Sequence, residues 1–168
     1  MPKAARRKSN SARLNVSVVS HCRSVRVDRK LLIKAVRLTA REHGVRRGLV
    51  ELAVFDDKDM ARLHKEYLGK RKVSDVICFD LSRGSAADLA SPSGFNSSLA
   101  LGGEVARKQA RLNKTSINKE LALYTVHGLL HLLGYDDAKA QDSRRMHRRE
   151  DELLEQLGIG AVFRKTGT

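Results

Sequence analysis

The sequence has few of the residues that several protein classes depend on. Of its 168 residues none is Trp, only two are Cys, and aromatic residues make up 4%. Stacking of bases on aromatic side chains is therefore excluded as the main way to bind a nucleic acid, so any such contact is expected mostly at the phosphate backbone. Cys22 and Cys78 form no CxxC pair and indicate no disulfide framework, which favours a reducing cytoplasm.

Long apolar segments are also missing. No stretch approaches the roughly 18 consecutive apolar residues of a membrane helix, and no apolar segment follows the basic N-terminus as it would in a signal peptide. We therefore expect a cytoplasmic protein that does not span a membrane. With 41% hydrophobic residues, a chain of this length has enough apolar side chains for the core of one domain.

Acidic residues are too few to balance the basic ones. There are 33 Lys and Arg residues against 19 Asp and Glu, which gives a net charge of +14. This excess favours a polyanionic partner, because neutralisation of phosphates by Lys and Arg supplies most of the non-specific affinity for nucleic acids. The charge alone leaves an anionic membrane surface open as the alternative.

The apolar pattern predicts an α/β (α+β) domain over residues 14–158, with a small mixed sheet of about four strands and about five helices. A basic arm at 1–13 without apolar periodicity is expected to be disordered, and a C-terminal tail is predicted at 159–168. Strands are predicted at 14–19, 49–55, 76–81 and 99–105, and a Ser-rich loop at 82–98. Helices are predicted from Asp28 to Gly44, around Met60 to Tyr67 with a stop at Gly69, and at 106–112, 118–133 and 143–157.

The most informative segment is HGLLHLLGYDD at 127–137. Side chains at i and i+4 lie one turn apart on one helix face, so His127 and His131 can reach one metal ion. The helix around them is apolar on almost every side, which predicts that it is buried. Gly134 stands where a left-handed cap ends a helix and reverses the chain, which brings Asp137 round as a third ligand. Three protein ligands with an open position are typical of a catalytic metal site.

Other interpretations of the polar residues stay open. Two core histidines with ordinary hydrogen-bond partners would explain a bare HxxxH, although the GxxD continuation favours a metal site. Asp136 fits a turn residue at the helix end better than an acceptor that orients an imidazole. His147 is expected to be exposed and is the substitute ligand if Asp137 points away. The remaining histidines lack such neighbours and are expected at the surface: His21, His43 and His64.

The histidine segment resembles the signature of the YbeY family of bacterial single-domain, metal-dependent endoribonucleases. Met146 and Glu150 follow at the family's offsets, and EYLGKRKVSDVICF at 66–79 is similar to its second conserved block. The similarity covers roughly residues 48–158. It implies one divalent ion of the zinc type, for which His127, His131 and Asp137 are the ligands that this chain offers.

The resemblance also implies a single-strand-specific endoribonuclease in ribosomal RNA processing, with roles in maturation of the small-subunit 3′ end and in ribosome quality control. Its implied partner is ribosomal RNA or a ribosomal subunit, with no membrane and no small-molecule cofactor. The loop before the third strand contains Lys70, Arg71 and Lys72, which are candidates for holding phosphate. Lys70 is the candidate catalytic contact, and a solvated basic turn is the alternative.

Three features depart from the family pattern. Asp137 stands where the family usually has a third His, and Leu68 where it usually has Arg. The stretch at 103–110 looks shorter by about 5 or 6 residues, the length of a short strand, which predicts a truncated sheet strand. Two imidazoles and one carboxylate leave a divalent ion with a net charge of +1, so its bound water is expected to be less acidic. Metals other than zinc, including iron, also accept this ligand set.

Two other functions compete with a nuclease. The spacing HxxxHxxGxxD is also similar to the zinc-binding run of metzincin-type proteases, but those enzymes have a Glu general base where this chain has Gly128. An RNA- or ribosome-binding assembly factor with a degraded metal site is the non-enzymatic alternative. Phosphodiester cleavage needs less from the protein, because a metal ion stabilises phosphoryl charge and supplies a water.

Overall fold

The computed structural model describes residues 13–82 and 94–162, which form one mixed sheet with helices on both faces. The strands are β1 (Leu14–Ser20), β2 (Gly48–Phe55), β3 (Val76–Asp80) and β4 (Phe95–Gly102). The helices are α1 (Arg29–Glu42), α2 (Asp57–Leu68), α3 (Gly103–Leu112), α4 (Ile117–Leu132) and α5 (Ala140–Gln156). The predicted fold class is confirmed. The predicted basic arm lies, except for Arg13, outside the described residues.

The strands lie in the order β1-β2-β4-β3. The first three are parallel, with Val18 opposite Leu52 and Leu52 opposite Leu99. β3 pairs antiparallel with β4 at the edge of the sheet, where Cys78 lies opposite Leu99. Parallel neighbours require crossover connections, and the helices of these connections cover the sheet.

Helix α4 lies between the sheet and α5. Leu121 and Leu129 of α4 belong to the main core, together with the buried residues of β2 and β4. Val126 and Leu130, on its other side, pack against α5 in a second cluster. The burial of both sides explains why the α4 sequence is apolar almost all round. Helix α2 covers the opposite face of the sheet, where Met60 packs with residues of β3 and β4.

Short-range signals place most helix ends. The side chain of Asp28 accepts a hydrogen bond from the backbone N–H of Leu31 at 3.0 Å and begins α1. Ser116 caps α4 in the same way through Lys119 at 3.2 Å. Gly69 ends α2 in the left-handed conformation, with φ 71°. Helix α5 begins three residues earlier than predicted because its first turn has no side-chain cap that the sequence could reveal.

The β4 region corrects the prediction from sequence. The prediction of a loop at 82–98 is wrong for residues 95–98, because they are the first four residues of β4. Residues 83–93 lie outside the described residues. The polar sequence at 96–98 hides a strand that is hydrogen-bonded on both sides, and Ser97 within it is only 1% exposed. The strand predicted to reach residue 105 ends at Gly102, where α3 begins. No strand is truncated here, since β4 has eight residues and pairs with β2 over its whole length.

The C-terminal end of the described chain still contacts the domain. Ile159 packs against both core clusters on the α4 side of the sheet. The backbone N–H of Val162 donates to the carboxylate of Asp151 at 2.7 Å. Within the described residues, no helix is long and apolar enough to cross a membrane.

Gly128 sets how closely α4 approaches the sheet. A Cβ atom at this position would lie 2.7 Å from Cδ2 of Leu99, 2.8 Å from Sγ of Cys78 and 3.1 Å from Cγ2 of Val76. Leu99 is completely buried, so its side chain has little space to withdraw. Only glycine allows the helix to lie at this distance from β3 and β4.

We expect Gly128→Ala to destabilise the fold by about 1–2 kcal/mol, because overpacking outweighs the gain in helix propensity. Urea unfolding measures the change, with the exposed Lys119→Ala in the same helix as the control. An unchanged or increased free energy of unfolding for Gly128→Ala would show that α4 has room to move.

Candidate metal centre

The end of α4 brings the sequence-predicted residues together. His127 and His131 lie one turn apart in the last part of the helix. Gly134 follows with φ 98°, and the backbone N–H of Tyr135 donates back to the carbonyl of Leu130 at 3.0 Å. This left-handed turn reverses the chain as the sequence predicts, and Asp137 comes to lie beside the imidazoles.

Three side-chain donor atoms converge. The Nε2 atoms of His127 and His131 are 3.0 Å apart, and Oδ2 of Asp137 lies 3.6 Å from Nε2 of His131. One ligand atom from each residue falls within 4.8 Å of the other two. Two nitrogen ligands at about 2.0–2.1 Å from a tetrahedral metal ion are about 3.3 Å apart. The arrangement thus has the dimensions of a three-ligand metal site.

Both Nδ1 atoms are engaged away from the point of convergence. Nδ1 of His127 contacts Oε1 of Glu150 at 2.5 Å, and Nδ1 of His131 contacts the backbone carbonyl oxygen of Tyr135 at 3.1 Å. A carbonyl oxygen only accepts hydrogen bonds, so Nδ1 of His131 is the donor. An ionised Glu150 makes Nδ1 of His127 a donor as well. The Nε2 lone pairs then face each other, which requires a cation or a shared proton between them.

The charges around His127 favour a positive group at this point. Burial alone would lower the pKa of His127, but the hydrogen bond that its ring donates to Glu150 and the charges of Glu150, Asp75 and Asp137 together raise it. The same negative field stabilises a metal cation between the imidazoles. The donor set and its electrostatics therefore fit a divalent ion.

The contact of Glu150 with His127 was not predicted from the sequence. Glu150 lies on α5, is 0% exposed, and its second oxygen, Oε2, has no hydrogen-bond partner within the described residues. One signal in the sequence points to it. Glu150 interrupts the apolar stripe of α5 between Met146 and Leu153, and a carboxylate on a buried stripe needs a specific partner.

The edge strand β3 reaches the same region. The thiol of Cys78 contacts the carbonyl oxygen of Gly128 at 3.5 Å, next to His127. Burial and the nearby charge of Asp75 raise the pKa of Cys78 to about 12, so this thiol stays protonated and is not a thiolate ligand. Lys70 is exposed in the loop that leads to Asp75, and its carbonyl oxygen accepts from Nδ1 of His64 at 2.7 Å. Within the described residues, no hydrogen bond or ion pair joins the Lys70 side chain to the three candidate ligands.

The neighbouring polar residues have other roles. Asp136 is a turn residue, since it accepts from the backbone N–H groups of Asp137 at 2.7 Å and Ala138 at 3.0 Å. His147 is half-buried instead of exposed. His21 is exposed as expected and stacks on Phe55.

His43 was expected at the surface, but it is half-buried and has two contacts. Its Nδ1 contacts the carbonyl oxygen of Thr39 at 2.7 Å, and its Nε2 contacts the hydroxyl of Tyr135 at 3.3 Å. This contact joins the end of α1 to the turn that carries the His131 acceptor. The link was not visible in sequence because residues 43 and 135 are 92 positions apart.

The peptidase hypothesis fails at Gly128. A Glu at this position would serve as its general base, but the position faces the sheet, where even a Cβ atom would collide with Leu99 and Cys78. The geometry therefore leaves the position after His127 without space for a catalytic carboxylate.

Leu68 stands where the resembled family usually has Arg. It is the last residue of α2 and is 56% exposed.

Comparisons with known proteins show which family and which fold this chain resembles. A family model described as "Endoribonuclease YbeY" matches residues 18–158. The Endoribonuclease YbeY of Chlorobium phaeovibrioides is 36% identical over 129 residues, which cover 77% of this chain and 82% of that protein. The protein of the same name from Francisella tularensis is 28% identical over 160 residues, 94% of each chain. A solution structure from Thermotoga maritima, 19% identical, has the same fold with a TM-score of 0.56 and covers 84% of this chain and 88% of that one.

We expect Glu150→Gln to weaken metal binding by about 10- to 100-fold, because a neutral amide orients the His127 imidazole less strongly and lowers its basicity. Competition with a chromogenic chelator measures the affinity. Glu152→Gln, which changes a partly exposed carboxylate on the same helix, is the control. Equal affinities for the two variants would mean that Glu150 does not support the site.

Proposed function

The chain belongs to the YbeY endoribonuclease family, and we propose that it is a metal-dependent endoribonuclease of ribosomal RNA whose ion is held by His127, His131 and Asp137. The observation that supports this assignment best is the convergence of two Nε2 atoms and one carboxylate oxygen, with both Nδ1 atoms hydrogen-bonded elsewhere. Such anchoring of the second ring nitrogen is typical of metal-ligating histidines.

Each residue of the site has a distinct task in this proposal. His127 and His131 supply neutral nitrogen ligands, and Asp137 supplies a carboxylate that is 44% exposed at the open side. Glu150 and the carbonyl of Tyr135 fix the two imidazole rings. When bound, the ion supplies Lewis acidity for the phosphoryl group and lowers the pKa of a coordinated water. The exposed loop residues Lys70, Arg71 and Lys72 contact the phosphates of the substrate.

The carboxylate of Asp137 changes the character of the site relative to three imidazoles. With this carboxylate, a divalent ion and its three ligands have a net charge of +1 instead of +2. The ion then polarises a phosphoryl group less strongly. Zinc accepts carboxylate ligands, so one zinc ion is our proposed occupant. The adjacent Asp136 keeps its charge, because the backbone N–H groups of Ala138 and Asp137 lower its pKa.

The substrate we propose is single-stranded ribosomal RNA in the cytoplasm, at the 3′ end of the small-subunit RNA and in ribosome quality control. The net charge of +14 and the scarcity of aromatic residues support contacts to the phosphate backbone. The curated relatives carry the name of an endoribonuclease, which supports RNA as the polymer that is cut.

His131→Ala tests the proposed metal and the proposed reaction together. We expect it to lose its bound metal and to cut a single-stranded ribosomal RNA fragment at least about 100-fold more slowly, since it removes a direct ligand. Elemental analysis of the dialysed protein and a gel-based cleavage assay measure the two effects. His21→Ala, an exposed histidine at the end of β1, is the control.

Equal cleavage by the wild type and His131→Ala would refute the metal-nuclease proposal. Binding of RNA by both proteins without cleavage by either would support an assembly factor whose activity has been lost.

A further inference from the structure

Half of the net positive charge lies in one segment around α1. Between residues 23 and 47 the sequence has nine Lys and Arg residues and only two acidic residues, a net charge of +7. The acids are Asp28 and Glu42. Asp28 is the N-cap of α1, and Glu42 forms ion pairs with Arg41 at 3.7 Å and Arg149 at 3.5 Å. Both carboxylates are therefore occupied with contacts inside the protein.

Four of these cations form a row on one side of α1. Lys30, Lys34, Arg37 and Arg41 are spaced by four, three and four residues, which places them on one helix face over about 16 Å. They line a groove with Ile33 and Leu38, and Gln156 of α5 lies in the same groove. We call the four residues the α1 basic row.

The α1 basic row has almost no internal partners. Within residues 13–82 and 94–162, no carboxylate forms an ion pair with Lys30, Lys34 or Arg37. All three side chains belong to exposed residues. Adjacent positive charges repel each other unless an external anion neutralises them. An anionic ligand with repeated charges would therefore reduce the repulsion between the side chains of the α1 basic row.

Basic residues extend the row at both ends. Lys30 also lines a second groove, with Arg26 and Arg29. Beyond the C-terminal end of α1, Arg46 and Arg47 line a third groove. The first two grooves share Lys30, so the basic surface there is longer than a single phosphate group needs and suits a ligand with repeated phosphates.

The C-terminal end of α1 is tied to the metal centre. His43 contacts the hydroxyl of Tyr135, whose backbone carbonyl oxygen accepts from His131. These two contacts connect the C-terminal end of α1 to the turn that holds the candidate ligands.

A membrane surface fits this helix less well than a nucleic acid. A helix that lies in a bilayer interface needs a free apolar face. The apolar face of α1 is already used, because Leu32, Ala35 and Val36 are completely buried in the protein core. What α1 presents to solvent is a row of charges, and repeated phosphates complement it.

We propose that the α1 basic row is a docking surface for the phosphate backbone of RNA, separate from the metal centre, which positions a long RNA for cleavage. This inference rests on the proposed function, because it assigns RNA as the polymer that the site acts on. It adds a second, sequence-independent contact that the metal site does not contain.

Two double variants with equal changes of charge test the proposal. Lys34→Glu with Arg37→Glu alters the α1 basic row. Lys58→Glu with Lys65→Glu alters exposed lysines of α2, on the other face of the sheet. Both are made in a His131→Ala background, so that a labelled 30-nucleotide single-stranded RNA stays intact while its affinity is measured over a range of salt concentrations.

We expect the α1 double variant to bind the RNA about tenfold more weakly than its parent at low salt. The slope of log affinity against log salt should become shallower by about 1.4, because two phosphate contacts are lost. The α2 double variant should keep most of the affinity and the slope. Circular dichroism checks that both variants are folded. Should the Glu variant unfold, Lys34→Gln with Arg37→Gln is expected to show the same change of slope at about half the loss of affinity.

Equal losses in the α1 and α2 double variants would overturn the proposal, since the effect would then follow from net charge alone. Loss of binding to phosphatidylglycerol vesicles without loss of RNA binding would overturn it in favour of a membrane surface. This assay measures the affinity of the protein for RNA that stays uncut. Its result is therefore independent of the cleavage assay that tests the proposed function.

Discussion

The contact between Nδ1 of His127 and the carboxylate of Glu150 joins α4 to α5 and orients a candidate metal ligand. Glu150 is completely buried, and a buried carboxylate costs several kcal/mol unless a partner compensates it. His127 is that partner, at 2.5 Å. The contact crosses from α5 to α4, and it leaves Nε2 of His127 free to face Nε2 of His131. The tautomer of the His127 imidazole and the direction of its Nε2 atom therefore depend on this hydrogen bond, which adds to the apolar packing of α5 against α4.

The α4 helix imposes the second constraint. It must bury one side against the sheet and the other against α5, while its C-terminal turn stays accessible to a substrate. Gly128 meets the first requirement by bringing the helix backbone close to β3 and β4. Gly134 meets the second, because its left-handed conformation turns the chain toward solvent and returns Asp137 to the histidines. The two glycines place the site at the border between the core and the surface.

The sequence predicted the parts of this arrangement that depend on short spacing. The i, i+4 histidines, the turn at Gly134 and the return of Asp137 all lie within 11 residues, where helix geometry fixes relative positions. Contacts that join distant segments were not predictable in this way. The partner of Glu150 is 23 positions away, and that of His43 is 92 positions away. Strand β4 was predicted only in part, because its polar first half is buried by pairing with two neighbours and not by its own composition.

The protonation and metal binding of the imidazole nitrogens of His127 and His131 can be measured in solution. Long-range ¹H–¹⁵N NMR spectra, recorded during titration of the protein with Zn²⁺, identify which nitrogen carries hydrogen and which binds metal. We expect both rings to keep hydrogen on Nδ1 and both Nε2 resonances to shift to metal-bound values at one equivalent of ion. Coordination through Nδ1 of either ring, or Nε2 resonances that do not respond to the metal, would contradict this expectation.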